Sequence, residues 1–240
     1  MPISYYLSLA IPASALVSYA VLMILVVRRR SITRIHLTFA LYLFVMVVWC
    51  GSSLMMRLDA ANALAWGKIL IISATSAMPL VWFAFSRAFT GLNPLSRQLI
   101  PGIVITVLVV VIAAASGLVV KSVSIDPVTR LVNLDIGPAF VLQGFILLFY
   151  PSWSLVILMR AYRRAREPMW RNRIRYPLIG LAFVMLGEFT NGAPLLRQYP
   201  IDIAANLANA VLLAYAIVFQ IKFFYPLRRD FAEGLAVLAQ

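Results

Sequence analysis

Long apolar runs separated by short polar or basic breaks dominate the chain. Seven such runs occur, at about residues 5–27, 37–56, 64–89, 99–120, 139–158, 174–191 and 203–224. A helix needs about 20 predominantly apolar residues to cross a bilayer. The pattern therefore predicts an all-α membrane protein, a seven-transmembrane helix bundle that uses nearly all of the sequence. The first run has its charges after it, at Arg28, Arg29 and Arg30. It lacks the leading basic flank of a secretory signal, so it is expected to stay as a helix.

The breaks set the orientation. Most of the 21 Lys and Arg fall in the 1–2, 3–4 and 5–6 connections and after the seventh run, with a dense set between Arg160 and Arg175. The other side holds only Arg57, Lys121, Arg130 and Arg197. Basic loops stay in the cytoplasm, which puts the N-terminus outside and the C-terminus in the cytoplasm. The dense arginine set reads as a topology signal and a lipid-headgroup contact, or else as a docking site for a cytoplasmic partner. The longest outer loop, residues 121–138, has β-branched residues on both sides of Asp126-Pro127. That spacing predicts either a small β-hairpin over the outer face or an irregular loop.

Composition agrees. Of the 240 residues, 63% are hydrophobic and 12% charged, and mean hydropathy is +0.93. Soluble domains carry about 25% charged residues. The net charge of +13 belongs to cytoplasmic loops rather than to a nucleic-acid module, since no soluble stretch is long enough to be one. A single cysteine, Cys50, rules out intrachain disulfides, and a single histidine, His36, argues against a transition-metal centre. There is no Gly-rich phosphate loop, no helical His pair and no nucleophile–base set. No enzymatic activity and no cofactor are expected of this chain.

The candidate chemistry lies within the spans. If the sixth span enters near Tyr176, Glu188 lies roughly 18 Å into a core about 30 Å thick. A carboxylate there requires a partner or a wet cavity. Lys68, Gln143, Asn206 and Asn209 fall at a similar depth. Glu188 and Asn191 are three residues apart, as are Asn206 and Asn209, so each pair shares a helix face. Cys50, Ser53 and Arg57 make a further polar stripe on the second span. One reading is an outward-open ligand pocket, with Lys68 and Glu188 pairing or receiving opposite charges of a ligand. The amides would then supply donors and acceptors, and Trp49, Trp66, Phe140 and Phe145 the walls. The other reading is an interhelical ion pair with amide hydrogen bonds that only hold the bundle together.

Pro226 breaks the helical pattern, so residues 1–225 and 226–240 separate into a transmembrane domain and a tail. In the tail, Leu227, Phe231, Leu235 and Leu238 recur at helical spacing. They form either an interfacial amphipathic helix or a signal-relay helix with a coiled-coil seam, which needs a second copy.

Three stretches carry a family resemblance: MPLVWFAFSRAFTG, GPAFVLQGFILLFYPSWSLVILMRAYRRA, and RNRIRYPLIGLAFVMLGEFTNGAPLLRQYPIDIAANLANAVLLAYAI. Over residues 8–225 the chain resembles the N-terminal seven-transmembrane sensor region of bacterial histidine kinases and related signalling receptors. The resemblance implies an input module in the plasma (inner) membrane of a bacterium, relaying a signal to a cytoplasmic kinase or other output domain. That output lies either in a longer form of this chain or in a separate partner. The resemblance carries no ligand residues with it. A retinal protein would need a lysine midway along the last span, but Lys222 lies at its cytoplasmic end. A eukaryotic-type G-protein-coupled receptor would show Asp-Arg-Tyr where Ser86-Arg87-Ala88 stands.

The expected function is thus a receptor module that binds a small molecule or lipid, or senses the membrane, at its outer face. Its partners would be the bilayer, a ligand, a cytoplasmic output domain and a second copy. The alternatives are a small transporter or channel, or a scaffold subunit. The apolar inner halves of spans six and seven disfavour transport.

Overall fold

The computed structural model describes residues 3–28, 32–115, 117–191 and 201–219. Among these, the helices group into seven segments. They are α1 (Ile3–Val27), α2 (Arg34–Leu58), the continuous pair α3 (Ala63–Ile72) and α4 (Met78–Phe89), α5 (Ile100–Ala115), α6 (Phe140–Arg164), α7 (Pro168–Asn191) and α8 (Ile201–Ala214). Among the described residues, four stretches are long and apolar enough to cross a membrane: α1, α2, Ala60–Phe89 and α6. Arg97–Ala113 and Ile201–Ile217 are shorter apolar helices. Arg175 and Glu188 interrupt the apolar run of α7.

The helix ends follow from local chemistry. Thr33 caps α2: its Oγ1 accepts from the His36 N–H, and His36 Nδ1 accepts from the Thr33 N–H at 3.3 Å. His36 is thus part of a helix cap. Pro168 opens α7, where a missing N–H costs nothing. Gly91, at φ 80°, stops α4, while the Leu92 N–H reaches back to the Arg87 carbonyl at 2.8 Å. Pro79 cannot donate to the carbonyl four residues earlier, and its ring crowds that carbonyl. The turn just before it, Ser73–Ala77, is widened into a π-helix. Ser73 and Thr75 turn their hydroxyls back on Ile69, Leu70 and Ile71 carbonyls there.

Several boundaries differ from the sequence expectation; α6, for example, runs on to Arg164, past residue 158. The fourth helix ends at Ala115, and Val120 begins strand β1 (Val120–Ile125) instead of ending a span. The sixth helix starts at Pro168, because the basic stretch before the apolar run is itself helical. β1 pairs antiparallel with β2 (Val132–Ile136), with an irregularity between Val120 and Ser122. Asp126 Oδ1 accepts from the Val128 and Thr129 N–H groups, and Arg130 takes φ 56° to close the turn. The two strands lie on α3: Val123 and Leu134 pack beside Gly67, and Val132 joins Met56 and Ala63. Ser8 of α1 donates to the Thr129 carbonyl at 3.0 Å, tying the turn to the first helix.

The helices form a closed ring. α1 touches α2 and α8, α2 touches α3 and α4, α4 touches α6, α6 touches α7, and α7 touches α8; α5 packs outside, on α6 and α3. The half of the ring away from the hairpin is filled by aromatic rings. Tyr42 and Trp82 lie 5.6 Å apart, Phe39 and Phe85 5.9 Å, and Phe89 stacks on Trp170 at 5.5 Å. Apolar side chains such as Val17, Val21, Val104, Val107 and Phe145 point outward, as lipid contact requires.

α7 and α8 approach closely because Gly180 and Gly187 share a face of α7. A Cβ on Gly187 would lie 2.6 Å from the Ala205 Cβ and 3.3 Å from the Asp202 Cα. Small residues allow such contact between membrane helices. Gly187→Leu is therefore expected to destabilise the bundle by about 1–3 kcal/mol through overpacking, seen as a lower melting temperature in detergent. Gly51→Ala, whose Cβ would meet nothing within 4 Å, is the control and should not lower it.

Candidate functional site

The hairpin-side half of the ring is not filled. A cavity of about 520 Å³ lies between α2, the π-turn, α6, α7 and the start of α8, with Val132, Leu134 and Ile136 of the hairpin above it. Such a volume suits a small-molecule site. Most of its wall is apolar: Trp49, Met56, Leu70, Ile71, Met78, Phe140, Leu147, Val184 and Ile203. Among the described residues, three charged side chains line it, Arg57, Glu188 and Asp202, with Ser53, Thr75 and Ser152. Its exposed lining residues are Leu148 and Ser152 on α6, Met185 on α7 and Ile136 of β2. The cavity therefore opens sideways, between α6 and α7 beside the end of the hairpin.

Arg57 is the principal polar feature. Its residue is only 4% exposed. Nη1 donates to both the carbonyl and the Oγ of Ser53, one turn back, at 2.6 Å. Nε has no hydrogen-bond partner among the described residues. Its own carbonyl accepts from Arg130 Nη1 of the hairpin turn at 3.3 Å. A buried guanidinium is costly unless charge and hydrogen bonds compensate it. Asp202 is near enough to attract it electrostatically. Asp202 sits in the first turn of α8, where its Oδ1 accepts from the Ile203 N–H at 2.8 Å. A carboxylate is favoured at that end of a helix.

The residues singled out from sequence divide into several groups. Trp49 and Glu188 line the cavity, as does Phe140. Gln143 is fully buried on the α6 face between Phe140 and Leu147, and neither end of its amide is bonded among the described residues. Lys68 lies elsewhere: its Nζ donates to the Ala113 carbonyl at 2.7 Å, tying α3 to the last turn of α5. A lysine at the end of a helix satisfies an orphan carbonyl there, and this replaces the expected pairing with Glu188. Trp66 is also outside the wall, donating from Nε1 to Asp59 Oδ2 at 3.1 Å. Phe145 faces outward, 61% exposed, and stacks on Phe149. The Asn191 side chain and the tail positions Leu227, Phe231, Leu235 and Leu238 lie outside the described residues.

Asn206 and Asn209 form a separate buried network. Asn209 Nδ2 donates to the Tyr42 hydroxyl at 3.0 Å, and that hydroxyl faces Asn206 Oδ1 at 3.4 Å. Asn206 Nδ2 donates to the Asp202 carbonyl at 3.0 Å. The network links α8 to α2 immediately below the cavity. Of the charged cavity residues, Arg57 is marked in the sequence only as part of the Cys50, Ser53 and Arg57 stripe, not as a ligand-binding residue, and Asp202 not at all. Arg57 also looks like a loop charge at a span end. Asp202 lies at the edge of its apolar run and carries no such mark.

The family model for the N-terminal 7TM region of histidine kinase matches residues 11–225. The chain belongs to that family. The match is to the membrane region and not to a catalytic domain. No match was found among curated proteins.

Tyr42→Phe strands the Asn209 amide in a dry interior. A buried polar group left unpaired costs about 1–3 kcal/mol, so the variant should melt at a lower temperature than the wild type, and Asn209→Leu in the same background should recover part of the loss. The Asp59 carboxyl is held below its ordinary range by hydrogen bonds from Asn62 Nδ2, at 2.9 Å, and from Trp66 Nε1. A depressed carboxylate stabilises its contacts above the unfolded value of about 3.9, and the contribution is lost as pH falls through the folded value. Trp66 emission should therefore shift only below about pH 4. Asp59→Asn should abolish that shift; its persistence would assign the transition to another group.

Proposed function

We propose that this chain is the sensor module of a bacterial histidine kinase, set in the plasma membrane by seven spans with the N-terminus outside. The observation that carries the reading is the charged cavity against the start of α8. A small ligand or lipid enters it beneath the hairpin, on the outer side. It contacts α2, α6 and α7 together with the first turn of α8, which leads toward the cytoplasmic tail. A ligand shifts a conformational equilibrium only by binding one state better than the other. Here the differential contact is at Asp202 and Ile203. Any change in their position passes to the Asn206–Tyr42–Asn209 network one and two turns further along α8. The tail, residues 226–240, together with that of a second copy, then carries the shift to the kinase or to a separate output partner.

The aromatic filling of the opposite half supports sensing over transport. Trp82, Phe85, Phe39 and Phe89 are all at most 2% exposed, and they occupy the place where a continuous polar path would run.

The test is native mass spectrometry of the chain extracted gently from its own membranes. Wild type should carry an adduct of fixed mass. Ala74→Phe and Met78→Trp, which put bulk into the cavity from two positions, should lose it while keeping the wild-type helical circular dichroism. A wild type with no adduct, and with stability equal to that of both filled variants, would refute ligand sensing at this cavity.

A further inference from the structure

The charges that face the cavity also define what it takes. Resting on the sensor reading, we propose that its ligand is an amphiphile whose head carries an anionic group beside a primary ammonium, with an apolar chain lying along the wall. Three observations lead there.

First, the anion site is built. Arg57 is 4% exposed, lines the cavity and, among the described residues, leaves Nε without a hydrogen-bond partner, its Nη1 bonds going to Ser53. A guanidinium is always charged and suits carboxylate or phosphate oxygens. An anionic group placed against the guanidinium adds acceptors to those of Ser53.

Second, the same cavity presents two carboxylates, Glu188 and Asp202. An anion alone would bring like charge toward both. A cation alone would meet Arg57 in a poorly hydrated space, where charge repulsion is strongest. A head with both signs is complementary to both, with its anion on Arg57 and its ammonium toward the α7–α8 side. Carboxylates already hydrogen-bonded keep lone pairs for a further donor.

Third, the mouth faces the bilayer. Leu148 on α6 is 73% exposed and Met185 on α7 and Ile136 of β2 are each 36% exposed, and all three line the cavity. An amphiphile dissolved in the membrane reaches the head site through that gap with its chain still in an apolar setting. The ligand is thus drawn from the lipid phase, either as a single-chain signal molecule or as an aminophospholipid of the bilayer itself.

The experiment uses the chain in nanodiscs of phosphatidylcholine, whose trimethylammonium cannot donate a hydrogen bond. Four radiolabelled amphiphiles with one common tail are titrated: 2-aminododecanoate, its methyl ester, dodecanoate and dodecylamine. Protein-free discs correct for partition. The expected order puts 2-aminododecanoate roughly tenfold or more above each of the other three, the loss expected when a charge-assisted contact is removed. Arg57→Gln should erase its advantage over the methyl ester, and Arg57→Lys should retain part of it. Glu188→Gln with Asp202→Asn should erase its advantage over dodecanoate. Equal binding of all four to the wild type, or tighter binding of any of the three singly charged compounds, would overturn the proposal; this reading needs no variant to fold. Repeating the titration in discs containing phosphatidylethanolamine separates the sources. Competition identifies the bilayer lipid as an occupant, and its absence identifies a single-chain molecule; both keep the two-charge head. If native mass spectrometry shows an adduct displaced by Ala74→Phe while 2-aminododecanoate fails to bind, the ligand class is wrong and the sensor reading stands. If neither is seen, the sensor reading fails as well.

Discussion

A guanidinium held within an apolar bundle is the constraint around which the hairpin-side half is arranged. Arg57 cannot shed its charge, and moving it out of water is expensive. The fold answers with Ser53 one turn back, with Asp202 at a helix end that favours an acid, and with space left unfilled beside the guanidinium. Filling that space with packed aliphatic side chains would strand the cation. The cavity and the charge are thus two aspects of one solution, and the hairpin completes it from above through Arg130 and the apolar side chains of β2.

The two halves of the ring serve different purposes. Away from the hairpin, Trp82, Phe85, Phe39 and Tyr42 interlock at centroid separations of 5.5–6.3 Å. Aromatic pairs at such distances add to the burial of their area. This half is a rigid base. Around the cavity the helices are less regular: there is a π-turn at Ser73–Ala77, Pro151 lies within α6, and Thr75 turns its hydroxyl back on its own helix. π-turns are frequent at functional sites, and this one contributes Ala74 and Thr75 to the cavity wall.

α7 and α8 couple the site to the rest of the molecule. Gly180 and Gly187 bring the two backbones close enough for Asn209 and Ala205 to lie directly against α7. Glu188 follows Gly187 immediately, and Asp202 lies across from it. A displacement at either carboxylate meets Ala205 and the α8 backbone at Gly187 rather than a long, flexible side chain. It passes into the backbone of α8 and to the buried Tyr42 contact.

The helical segments, the family and the presence of intramembrane charge were legible in the amino-acid sequence. Burial of a 20-residue apolar run in a bilayer is a local property, and so is the cost of placing Glu188 within one. Helical spacing also put Ser53 and Arg57 on one face. The choice of partners was not local. Lys68 and Glu188 fall at similar depths, yet Lys68 bonds to the end of α5, and Asn206 and Asn209 turn toward Tyr42 on α2. Depth along a helix says nothing of its rotation or of its neighbours in the ring. That order is decided by side-chain packing among all the helices at once: by the glycines that draw α8 onto α7, and by the aromatic rings that close the far half. Only the closed ring sets Asp202, at the edge of the last helix, before Arg57 at the end of the second.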